Sequence, residues 1–97
     1  MIGRFVVVRT RNAGVHCGVL RQCPTGQCTT VELTAARRIW RWRGANSLHE
    51  LSLRGASKDW TRISEPVGEI FLPEVIEVIP CTPEAEANLR QSRWTKE

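Results

Sequence analysis

Short runs rich in β-branched residues, closed at intervals of roughly 8–12 residues by turn-forming residues, constrain this chain more than any other feature. Side chains branched at Cβ pack well on a pleated surface, and runs this short cannot carry the long apolar stripe of a helix. Arg4 to Thr10 (RFVVVRT) opens the series. Asn12-Ala13-Gly14 supplies turn chemistry, and Gly14 to Gln22 (GVHCGVLRQ) reads as a second strand in which Gly18 permits a bulge or a close backbone approach. Cys23-Pro24-Thr25-Gly26 then makes a tight turn into a third strand, Cys28 to Leu33. The opening third is therefore expected to be an antiparallel meander.

Thr34-Ala35-Ala36 leads into Arg37 to Arg43 (RRIWRWR), whose alternation suits a fourth strand. Arg38, Trp40 and Trp42 would share one face, with the indoles in the core. Arg37, Ile39, Arg41 and Arg43 would take the other. Ser47-Leu48-His49-Glu50 has the pattern of a helix capping box, so a short helix is expected to about Leu53, with Leu48, Leu51 and Leu53 as its buried stripe and Gly55 as its stop. Ala56 to Pro66 reads as a polar connection anchored by Trp60 and Ile63. Val67 to Leu72 and Glu74 to Ile79 read as two further strands separated by Pro73. Thr82-Pro83-Glu84 opens a terminal helix with threonine as cap and proline in the first position. The fold class expected is α+β: a mostly antiparallel sheet or small open barrel of about six strands with two short helices, as a single domain over residues 1–97.

Several classes are set aside. No apolar run approaches the roughly 20 residues of a membrane span. The N-terminus runs straight into a charged strand without a signal-peptide cleavage site, so the expected place is the cytoplasm. Cys17, Cys23, Cys28 and Cys81 are then expected to be reduced thiols. The first three lack the two-residue spacing that pairs thiolates on zinc, even with His16 or His49 added, so no metal or cofactor is expected.

The net charge of +4 is unevenly placed. Residues 1–43 carry eight arginines against Glu32 alone, whereas residues 44–97 carry six bases against nine acids. Twelve of the fourteen bases are arginine, whose planar guanidinium grips phosphate or carboxylate through two hydrogen bonds. A partner of opposite sign follows, either an anionic small molecule or nucleic acid.

No catalytic constellation is apparent. His16 beside Cys17 would point to the opposite side of a strand, and GANS lacks the lysine of a phosphate loop. The protein is therefore not expected to be an enzyme. The junction Trp42-Arg43-Gly44-Ala45-Asn46-Ser47 joins a strand to a helix start, where free amides and the helix dipole favour anions. Arg37, Arg38, Arg41, Trp42, Arg43, Asn46 and Ser47 are the candidate ligand-binding residues, with Trp42 available to stack on a base. An ordinary capped helix is the competing reading, in which case Arg4, Arg9, Arg11 or Arg21 would carry the binding.

The ordered segments Val6-Val7-Val8-Arg9-Thr10, Ala13-Gly14-Val15, Ala36-Arg37-Arg38-Ile39-Trp40, Trp42 to Leu48, Ile63 to Val67 and Ile76 to Thr82 resemble a family of small phage and prophage proteins carried as a domain of unknown function. The resemblance spans nearly the whole chain. It implies a viral origin and expression in the cytoplasm of a phage-infected bacterial host, and it assigns no binding or catalytic residue. Charge and that context together point to a counter-defence protein that sequesters a nucleotide-type immune signal. A ligand gripped at a subunit interface would make it a homo-oligomer. The alternatives are a nucleic-acid-binding accessory protein, a virion-assembly component or a direct inhibitor of a host defence protein.

Overall fold

The computed structural model of the chain describes residues 2–22, 30–42, 44–45, 47–57 and 61–91. In order come β1 (Phe5–Thr10), β2 (Val15–Gln22), β3 (Val31–Arg41), α1 (Leu48–Arg54), β4 (Arg62–Ile63), β5 (Val67–Leu72), β6 (Val75–Pro80) and α2 (Pro83–Gln91). The strands form one antiparallel six-stranded sheet in the order β4-β3-β2-β1-β6, with β5 also on β3. This is the α+β architecture that the pattern of short runs and two capped helices implies.

The third and fourth expected strands are a single one. The chain does not break at Thr34-Ala35-Ala36 but bends through it, with Ala35 at φ 50° and a register slip between Cys17 and Val19 on the facing strand. Gly18 makes this possible: a Cβ there would lie 3.0 Å from the Thr34 carbonyl oxygen and 3.1 Å from Ala36 Cα. The bend gives β3 two successive neighbours on one side, β5 along Val31–Ala36 and β4 along Ile39–Arg41. The two-residue β4 lies inside what the sequence suggested was a polar connection, anchored by the fully buried Ile63 as expected. Trp60 and the Cys23 to Gly26 turn lie outside the described residues.

Alternation divides the strands between two cores. Phe5, Val7, Cys17 and Ile39 pack beneath the helices with Leu48, Leu51, Ala85 and Leu89, on what we call the outer face. Val6, Val8, Leu20, Val31, Leu33, Ala36 and Leu72 form a second cluster on the inner face. Strand β5, on the outer edge of β3, and strand β6, beyond β1, both add to that inner cluster through Ile70, Leu72, Val75 and Val78. The Pro73-Glu74 turn joins them directly, so the sheet must curl toward closure.

The face assignment of β3 is the reverse of the expected one from Arg37 to Trp40, whereas Trp42 packs against the core on the expected side. Arg37 and Ile39 are buried beneath the helices, whereas Trp40 is 56% exposed. Strand alternation is the same for either choice, and the helices decide it by covering the isoleucine side. Trp42 is half-buried against the outer cluster, its indole N–H donating to the Ala45 carbonyl at 3.1 Å.

Ser47 is the N-cap of α1 as expected, but no capping box forms. Ser47 has extended geometry and no side-chain cap bond, and Glu50 instead pairs with Arg54 at 2.9 Å. Leu48 and Leu51 are buried, while Leu53 points to solvent. Gly55 ends the helix at φ 78°, its N–H donating to Leu51 O, and a Cβ there would collide with Asn88. Asn88 is held in place because its amide both donates to and accepts from the Ala56 backbone at 2.9 Å. Thr82 caps α2 as the sequence indicates, accepting from the Ala85 N–H at 3.1 Å while donating to Leu53 O at 2.6 Å.

These two helix ends predict opposite mutational outcomes. Gly55→Ala should lower unfolding free energy by about 1–3 kcal/mol, because a strained positive φ adds to the collision with Asn88. Ser47→Ala should stay within about 0.5 kcal/mol of the parent, since no cap bond is lost. Chemical denaturation of both variants checks this.

Candidate functional site

The basic stretch of β3 is distributed over three environments. Arg37 is buried, its Nε donating to Ser64 O at 2.7 Å and its Nη1 to Leu89 O at 3.0 Å and Arg90 O at 2.9 Å. The last carbonyls of a helix lack intrahelical partners and sit at the negative dipole end. Arg37 therefore acts as the C-cap of α2, supplied from a distant strand. Arg38 and Arg41 lie apart from it near Trp40, with the Arg41 guanidinium 5.3 Å from the Trp40 ring centroid. Arg43 and Asn46 lie outside the described residues.

Trp42 and Ser47, by contrast, are brought together. They line an open cleft of about 530 Å³ with Arg9, Val15, Leu48, His49 and Glu77. The register explains its floor: Glu77 pairs Arg9 and Arg9 pairs Val15, so the three stand side by side on the outer face. Trp42, fixed by its bond to Ala45, forms one wall, and the first turn of α1 contributes Ser47, Leu48 and His49. Arg9 Nη1 is 3.8 Å from Glu77 Oε1 and both side chains face solvent, so this ion pair is weak and Arg9 is free to exchange it for another anion.

Of the lining residues, Arg9, His49 and Glu77 were not among the candidate site residues. Arg9 stood only as a fallback. Nothing local marks them, because their proximity depends on β6 returning beside β1 from the far end of the chain and on α1 docking over the sheet.

On the inner face, Val78, Val8, His16 and Arg38 form one row across four strands. His16 is buried and its Nδ1 has no hydrogen-bond partner among the described residues. Burial, and secondarily the charge of Arg38, holds its pKa below the ordinary histidine value. Cys17 and Cys81 are free and buried, and burial pushes both thiols up to about 12. Among the described residues no group of three or more His, Cys, Asp or Glu could hold a metal ion, and no helix is long and apolar enough to cross a membrane.

A family model described as a domain of unknown function (DUF6948) matches residues 3–89, a span that contains the whole sheet, both cleft walls and all but the end of α2. The chain belongs to the DUF6948 family. Comparison with curated proteins and with solved structures finds no match.

Two consequences follow from the buried polar groups. Arg37→Met keeps the bulk but strands the carbonyls of Ser64, Leu89 and Arg90, and should lower stability by about 3 kcal/mol or more in urea unfolding. For His16 the folded pKa is depressed, so the neutral ring contributes stability above the unfolded pKa of about 6.5. That contribution is lost as pH falls through the folded value, with a slope of at most one proton. His16→Phe should flatten the acid limb of a stability–pH profile, and an unchanged limb would reassign it.

Proposed function

We propose that this protein binds and sequesters an anionic, nucleotide-type ligand without catalysis, as a small phage counter-defence protein acting in the bacterial cytoplasm. One observation carries this reading: a single cleft is lined by a hydrogen-bond-fixed tryptophan, Trp42, a weakly engaged arginine, Arg9, and the first residues of α1. A planar base has the indole to pack on, and a phosphate has Arg9 and the Ser47 hydroxyl. His49 adds a ring N–H that can donate to a phosphate oxygen. Glu77 competes with an anion for Arg9 and repels it once Arg9 turns away, so it lowers affinity and disfavours dense negative charge.

The binding-only reading is supported by the chemistry of the other reactive groups. The two described thiols are held protonated, and His16 is buried against apolar neighbours and Arg38 rather than beside a nucleophile. A homo-oligomer in which a second copy closes the open side of the cleft fits a sequestering role.

The test is a thermal-shift and native mass spectrometry screen against linear and cyclic nucleotides. A nucleotide should bind stoichiometrically and raise the melting temperature with concentration. Arg9→Ala should weaken it roughly tenfold to hundredfold, the loss of one charge-assisted hydrogen bond of about 1.5–3 kcal/mol, with stability nearly unchanged. Glu77→Gln should tighten it. If no nucleotide binds, or if neither substitution alters affinity, the cleft is not a nucleotide site. Light scattering of the free and liganded protein reads the oligomeric state.

A further inference from the structure

The face of β3 turned away from the cleft carries a second, independent arrangement. In a regular strand, neighbours such as Trp40 and Arg41 point to opposite sides. Here the pairing with β4 slips: Ile39 faces Ile63, but Arg41 faces Arg62, so two residues of β3 advance against one of β4. Such a bulge re-aims side chains. It allows the Arg41 guanidinium to approach the indole of its sequence neighbour, 5.3 Å from the ring centroid.

Arg38 stands two residues earlier, on the row shared with His16, and is exposed. Its guanidinium lies over Gly14, where a Cβ would come within 3.1 Å of Nη2, and Gly14 has φ 86°. Arg38 is thus laid along the sheet surface instead of extending freely into solvent. Its backbone is fastened on the other side, the N–H donating to Ser64 Oγ at 2.8 Å and the carbonyl accepting from the Ser64 N–H at 2.9 Å. Between Arg38 and Arg41 the Trp40 indole is 56% exposed, a large aromatic surface on a rigid strand.

We propose that Arg38, Trp40 and Arg41, with Arg62 alongside, form a stacking platform for single-stranded nucleic acid. An exposed ring offers its face to any base, and flanking guanidinium groups follow a phosphate backbone; strand-binding surfaces combine these two elements. An acidic protein surface would use the arginines but has no need of an exposed indole between them. The platform lies on the opposite side of the sheet from the Arg9–Trp42 cleft, so the two sites stand or fall separately.

The experiment is fluorescence anisotropy of a labelled oligothymidylate with the intact protein. Binding should be detectable at about 50 mM salt and fall steeply toward about 200 mM, with a log–log slope of about −0.7 per phosphate contacted. Trp40→Ala should weaken binding roughly tenfold to hundredfold without lowering the melting temperature, and Trp40→Phe should retain most of it. Replacing Arg38 and Arg41 together by alanine should make the slope shallower by about 1.4. Arg9→Ala should leave strand binding unchanged while impairing the cleft. The proposal is overturned if oligothymidylate does not bind at low salt, if Trp40→Ala binds it as well as the parent, or if polyglutamate competes equally well. Loss of strand binding in Arg9→Ala but not in Trp40→Ala would move the strand to the cleft and overturn it as well.

Discussion

Much of this structure hangs on the three hydrogen bonds of Arg37. One guanidinium joins the middle of β3, the carbonyl of Ser64 after β4 and the last carbonyls of α2, three segments that are far apart in sequence. A buried charge is tolerated here because its donors meet carbonyl oxygens at the negative end of a helix. The arrangement holds α2 against the outer face, where Ala85 and Leu89 complete the core beneath it. Thr82 fastens the other end of α2 to α1 through Leu53, so both ends of that nine-residue helix are bonded to other elements. A helix this short has little stability alone and depends on such docking.

Strand β3 carries the consequences into function. Its first bulge, at Ala35 against Gly18, lets one strand serve both β5 and β4. Its second, at Trp40, alters which side chains face outward near the basic cluster. With Arg37 and Ile39 taken into the core, the remaining basic and aromatic residues divide between faces: Trp42 goes to the cleft, and Arg38 and Trp40 to the opposite surface. What reads as one continuous Arg/Trp motif in sequence is in space three separate environments, one structural and two facing solvent.

The sequence by itself determined the element types and most of their boundaries. Val67 to Leu72 is a strand as read, Thr82 caps the last helix, Gly55 stops the first and Gly18 admits a close backbone. These are local matters of branching at Cβ, positive φ and unsatisfied amides, and neighbouring residues suffice to decide them. The Ser47 hydroxyl shows the limit, because the cap position was legible while the bond was not.

Only the tertiary structure decided which face of β3 is inside. Period-two alternation is symmetric under exchange of the two faces, and the bulge after Ile39 splits the tryptophans, so that Trp42 packs on the helix-covered isoleucine side while Trp40 faces out. The same holds for the cleft, whose arginine and glutamate meet only because β6 returns beside β1. It holds for Arg37, whose partners are backbone carbonyls from distant segments and carry no side-chain signature at all. Composition determined that the N-terminal half would be basic; long-range pairing decided which of those charges were buried and which were left at the surface.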